Sequence, residues 1–365
     1  MTFSLKPYRN AFIFIIFGLI SYGLRLYCCQ HPDFVESFYS KCVFQWIRKS
    51  FYWFSYIPFP PFYLFFVLVM GWLIRIIFMK EHLPFKKTIF VKMIKLLGFI
   101  ALLYGLFLWS WGYNYCRIPI ESHFQITEKS QNESVLRSEL EFFTKKLIKY
   151  RQDINPDLNA NISLFDPMDY ENIVKKAVRK SLAKFDYPTS KDLNVRFLKP
   201  KGALMIWSTA GIYFPFVGES NVDAGLHPLQ QIYVMAHELG HGYGFGDEGT
   251  CNFISYLASE NTNNPLIRYA CLLGYWRTLA VNYKMLNSHD YAIFRKALPF
   301  GIIQDLDEIN DTINSYPEIL PSFRHLFYNQ YLKAQGISEG MENYNRVVML
   351  VTNWRKSQLF DNRIN

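Results

Sequence analysis

The sequence predicts an α+β chain in two parts: three N-terminal transmembrane helices, then a mostly helical domain with a small sheet. Three observations carry this reading. Three apolar stretches, at 11–27, 58–79 and 93–113, are each close to the roughly 20 residues a helix needs to cross a bilayer. From Ile118 onward, charged and apolar residues alternate and no further long apolar run occurs. In that second part, apolar residues recur at three- and four-residue spacing, and strand-like runs are few and short. The predicted division is therefore a membrane region at 1–117 and an extracytoplasmic domain at 118–365. With 50% hydrophobic residues, 19% charged residues, 33 Phe and 25 Tyr, the 365-residue chain is too apolar to be disordered.

Taken in order, the first stretch follows Lys6 and Arg9, as a signal peptide would. Its exit, Gly23-Leu24-Arg25-Leu26-Tyr27-Cys28, lacks the small residues of a cleavage site, so it reads as an uncleaved anchor. The second, PFYLFFVLVMGWLIRIIFM, has one charge, Arg75, near its end, where it can snorkel. The third closes on Trp109, Trp111, Tyr113 and Tyr115, an aromatic cluster of the kind found at headgroup level. Lys6 and Arg9, with Lys80, Lys86, Lys87 and Lys92 between the second and third stretches, favour a cytoplasmic N-terminus. Three crossings then place the C-terminal domain outside the cytoplasm, and the aromatic segment from Pro32 to Pro61 on the outer bilayer surface. Six cysteines without a CxxC pair make no thiolate zinc site, and their pairing is not legible.

In the second part, Ser134 to Arg151 and Tyr170 to Phe185 read as amphipathic helices. Val195 to Leu198 and Leu204 to Trp207 read as strands. Gly211 to Val217 is a third strand, and its Pro215 argues for a sheet edge, where an extended peptide can pair with the free backbone. Gly218 to His227 reads as a loop, and Pro228 opens a helix. Helices fill the rest, with breaks near Asn261 to Asn264, Pro299 and Pro317.

The helix opened by Pro228 contains His237-Glu238-Leu239-Gly240-His241. Residues four apart share a helix face, so His237 and His241 can offer imidazole nitrogens to one metal ion. Glu238, about 100° round the helix, suits a general base acting on a metal-bound water. Gly242, Gly244 and Gly246 let the chain turn sharply, and Asp247 and Glu248 follow. Glu248 is the expected third ligand and Asp247 the alternative, with Asn252 one turn later supporting a ligand by hydrogen bonding. The expected cofactor is one Zn²⁺ per chain. The net charge of +9 is not gathered into a basic, aromatic-interleaved patch, which excludes a nucleic-acid partner.

Glu248-x-x-x-Asn252 after H-E-x-x-H resembles the E-x-x-x-D pattern of gluzincins. Across nearly its whole length the chain resembles a bacterial membrane family, domain of unknown function 3810. The segments carrying the likeness are HPDFVESFYS, IPFPPF, WGYNYCR, GIYFPFVGESNVDAG, AHELGHGYGF, NFISYLA and YLKAQGISEGMENYNRVV. That family usually reads E-D-E-A-N-F where this chain has Glu248-Gly249-Thr250-Cys251-Asn252-Phe253, so the second acidic residue is Thr250 here. The resemblance implies a zincin-like zinc metallopeptidase domain anchored in the inner membrane of a bacterium and facing the periplasm. It implies that Gly211, Tyr213 and Phe214 lie on the edge strand that aligns a peptide or protein substrate. Tyr344 and Arg346 become candidates for stabilising an oxyanion. The alternative is a non-catalytic membrane sensor or assembly protein that retains a zinc-binding fold.

Overall fold

The computed structural model describes residues 8–80, 83–124, 132–163, 165–191, 193–337 and 346–364. The chain divides into two compact units, one of Met1–Ile118 with Phe214–Gly218, the other of Pro119–Tyr213 with Glu219–Asn365.

In the first unit, α1 (Arg9–Gln30) leads into the one-turn α2 (Pro32–Phe34) and a π-helical stretch, Val35–Val43. Then come α3 (Phe44–Phe51), a 3-10 turn (Tyr52–Tyr56), α4 (Pro61–Phe78) and α5 (Phe85–Ser110). Helices α1, α4 and α5 are long and apolar enough to cross a membrane. The third begins eight residues before the expected 93, because Lys86, Lys87 and Lys92 are good helix formers and the helix outruns its apolar stripe. Small residues let α1 and α5 touch backbone to backbone. A Cβ on Gly98 would meet Ala11 Cα at 2.8 Å, and one on Gly18 would meet Ala101 Cβ at 2.9 Å. The two run in the same direction, with Trp109 Nε1 donating to Ser21 Oγ near their far ends. There a disulfide joins Cys29, in the last turn of α1, to Cys116, in the 3-10 turn after α5. Phe214 and Phe216 pack in this unit with Phe62, Phe65 and Phe66 of α4.

The second unit holds α6 (Glu133–Ile154), α7 (Glu171–Ala183), β1 (Val195–Leu198), β2 (Gly211–Phe214) and β3 (Glu219–Asp223). After the sheet come α8 (Pro228–Gly242), α9 (Glu248–Glu260), α10 (Pro265–Leu286), α11 (Ser288–Lys296), α12 (Phe300–Asn314), α13 (Pro321–Ala334) and α14 (Arg346–Ile364). The strand order is β1-β3-β2, with β1 parallel to β3 in the register Val195↔Ser220. β2 lies at the edge, but it ends at Phe214, and Pro215 falls in the turn that follows rather than within the expected strand to Val217.

Two expectations fail here. Leu204 to Trp207 is no strand: Met205–Trp207 is a 3-10 helix. The buried Asp223 carboxylate accepts from the Gly202, Leu204, Met205 and Gly225 N–H groups, which curls that segment around it. The expected loop from Gly218 instead contains the central strand. Glu-Ser-Asn-Val-Asp has weak β-propensity, yet all five residues of β3 are buried. Its outer side-chain needs are met by neighbours such as Arg196, which pairs with Glu219.

Helix starts follow local chemistry. Pro228 occupies the first turn of α8, and the Asn264 side chain caps α10 ahead of Pro265. The core gathers where α10 crosses α6 and α9, with Trp276, Tyr269 and Tyr275 almost fully buried. Trp276 Nε1 donates to Thr144 Oγ1 at 2.8 Å, so the buried indole keeps its hydrogen bond.

Candidate metal centre

α8 ends at Gly242, and after a five-residue turn α9 begins with Glu248. That turn is short enough to return the chain against the face of α8 that carries the histidines. Gly244 makes it possible, at φ +87°, a conformation that side-chain-bearing residues rarely adopt. Gly240 lets the helices approach closely, since a Cβ there would lie 3.1 Å from Cys251 Sγ. Asp247 caps α9, its Oδ1 accepting from Thr250 N and Thr250 Oγ1 at 2.6 Å each.

Three donor atoms converge. His237 Nε2 lies 3.1 Å from His241 Nε2 and 3.0 Å from Glu248 Oε2, and His241 Nε2 lies 3.3 Å from the same oxygen. The outer faces of both rings are already engaged. His241 Nδ1 is 2.7 Å from the Phe245 carbonyl, a pure acceptor, which places a proton on Nδ1 and leaves Nε2 facing Glu248. His237 Nδ1 meets Asn252 Oδ1 at 2.8 Å, and the same oxygen accepts from Tyr233 OH at 2.8 Å. Two imidazole nitrogens and a carboxylate oxygen thus face one another in a buried place, where a positive charge, on an imidazole or on a bound cation, offsets that of the carboxylate. Ligands at about 2.0–2.1 Å from a tetrahedral Zn²⁺ stand about 3.3 Å apart, close to the distances seen. These residues could hold such an ion.

A second grouping, His237, His241 and Cys251, has its donor atoms within 4.8 Å of one another. Cys251 Sγ, however, sits 3.3 Å from His241 Nδ1, on the far side of the ring from Nε2. Burial pushes that thiol up to about 12, against the pull of His241.

The charges are strongly coupled. Burial raises Glu248, but the His241 and His237 imidazoles outweigh it and hold the carboxyl well below its usual range. Burial would lower His241, and the Cys251 and Glu248 charges outweigh it, so the ring is raised. Glu238 differs: burial dominates and pushes its carboxyl up, against the pull of His241 and His237. Among the described residues, its Oε2 has no hydrogen-bond partner, while the Tyr213 N–H donates to the carboxylate. Gly211 passes directly over this group, since a Cβ there would stand 2.7 Å from Glu238 Oε1 and 2.8 Å from Asn221 O.

His237, Glu238, His241, Glu248 and Asn252 are therefore brought together, with Gly211 and Tyr213 of β2 against Glu238. Phe214 is not at this place, because its ring packs in the first unit. Asp247 faces away from the donor cluster: its Oδ2 lies 2.5 Å from Arg346 Nη1, and its Oδ1 caps α9. Arg346 is held by Asp247 and Glu121, an ion-paired posture that does not suit an oxyanion donor. Tyr344 lies outside the described residues.

Two tyrosines were not anticipated. Tyr233 precedes His237 by four residues, so helix spacing could have revealed it. Tyr328, whose hydroxyl donates to Glu248 Oε1 at 2.8 Å from α13, has no such local signal. No curated protein and no solved structure matches the chain. A family model described as "Protein of unknown function (DUF3810)" matches residues 39–352, a span containing every side chain of the cluster, and the chain belongs to that family.

Proposed function

We propose that the chain is a membrane-anchored, zinc-dependent metallopeptidase with a zincin-like catalytic domain. The observation that carries the reading is the convergence of His237 Nε2, His241 Nε2 and Glu248 Oε2 within 3.3 Å beside the buried, half-satisfied Glu238 carboxylate. Zn²⁺ held by the three would supply a Lewis acid for a scissile carbonyl and a water made acidic near neutral pH. Glu238 Oε2 takes the proton of the attacking water and later returns it to the leaving amine. The edge position of β2 suits pairing with an extended peptide as a further strand, and Tyr213 N–H holds the base carboxylate in place.

The domain would lie outside the cytoplasm, in the periplasm of a bacterium. The Cys29–Cys116 disulfide supports this side, since such bonds persist in oxidising compartments. α1 and α5 run in parallel, which suits an odd number of crossings before the domain.

The test is metal content and peptide-library cleavage by the full-length protein in lipid nanodiscs, beside Glu238→Gln and Glu248→Gln. The expected result is one zinc in wild type, its loss in Glu248→Gln, and its retention in Glu238→Gln with cleavage down about 10²–10⁴-fold. A metal-free wild type refutes the reading. Bound zinc in wild type with no cleavage of any peptide overturns the peptidase and leaves a zinc-binding sensor.

A further inference from the structure

We infer that Tyr328 is a positioning residue of this centre, one that holds Glu248 in a one-oxygen posture toward the metal; the inference rests on the metal reading above. A ligand keeps its orientation through the hydrogen bond its outer atom makes. His237 has Asn252, itself held by Tyr233, and His241 has the Phe245 carbonyl. Those partners all come from α8, α9 or the turn between them. The outer partner of Glu248 comes from α13, eighty residues along the chain. Tyr328 OH donates to Oε1 at 2.8 Å, which leaves Oε2 as the oxygen aimed at both imidazoles.

A carboxylate free to offer both oxygens would raise the coordination number and occupy the position that a catalytic site keeps open for water. By engaging Oε1, Tyr328 keeps that position free. It also couples α13 to the centre, so the third ligand is fully oriented only when this helix is docked. The Tyr328 ring lies stacked beside that of Tyr331, with centroids 6.2 Å apart.

The experiment compares wild type, Tyr328→Phe and Tyr331→Phe as full-length proteins in nanodiscs. Zinc affinity is read by competition with a chromogenic chelator, and coordination by the visible absorption of the Co²⁺-loaded proteins. Phe keeps the ring and removes only the hydroxyl. Tyr328→Phe should raise the zinc Kd about 10–100-fold and weaken the Co²⁺ bands as the coordination number rises. Tyr331→Phe should leave both near wild type. A Tyr328→Phe protein with a Kd within about threefold of wild type and a superimposable Co²⁺ spectrum overturns the inference and leaves the metal reading standing. A wild type that retains no metal overturns the metal reading itself, and this inference with it.

Discussion

Replacing Asp247 by Ala separates a capping residue from a ligand, and its size can be worked from the contacts. The carboxylate makes two kinds of bond. Oδ1 receives the Thr250 backbone N–H and hydroxyl, the N-cap of α9. Losing a cap of this type costs about 1 kcal/mol. Oδ2 pairs with Arg346, which keeps Glu121 as a second partner. With that partner left, the lost pairing costs about 1 kcal/mol more. A total of about 2 kcal/mol corresponds to a fall in Tm of about 4–8 °C for a domain of this size. The assay is thermal unfolding of the metal-free protein by near-ultraviolet circular dichroism, with zinc content measured in parallel. Asp247→Ala should melt lower and still bind one zinc, whereas Glu248→Gln should lose it. Zinc loss in Asp247→Ala with an unchanged metal-free Tm would make Asp247 the ligand and refute the assignment. An unchanged Tm with zinc retained would show that the cap and the Arg346 pair add nothing measurable.

Two further outcomes follow from groups away from the centre. Glu219 is buried, and desolvation pushes its carboxyl up to about 7, against the pull of Arg196. Between the ordinary carboxylate range and pH 7 the native state then binds more protons than the unfolded chain, so stability falls as pH rises through that window. Glu219→Gln should therefore gain on wild type between pH 5 and pH 8, by on the order of 1 kcal/mol once the weakened Arg196 bond is counted; an equal difference in Tm at both pH values would refute the shift. The Cys29–Cys116 bond leaves Cys28, Cys42, Cys251 and Cys271 free. Denatured, unreduced protein should thus take up four maleimide-polyethylene glycol adducts and reduced protein six; six adducts without reductant would rule out the disulfide.

Local rules made much of this protein readable. Apolar length alone announced α1, α4 and α5, because a bilayer sets the length of whatever crosses it. Four-residue spacing placed His237 and His241 on one face, and a glycine-rich turn brought Glu248 and Asn252 back to them. In each case the cause lies within a few residues of its effect.

The remainder depends on residues distant in the chain. β3 is central although its sequence has weak strand preference; burial between β1 and β2 and the Arg196 pair override that preference. Asp223 curls the Leu204 segment out of a strand from nearly twenty residues away. Arg346, an apparent oxyanion donor in the sequence, is taken by two carboxylates that only folding brings to it. Tyr328 reaches Glu248 across eighty residues. The identity of the candidate metal-binding residues was thus local, a matter of helix periodicity and one turn, whereas their orientation was tertiary. The hydrogen bonds that aim a side chain come from whichever groups packing sets beside it, and packing is decided by the whole core rather than by neighbours in sequence.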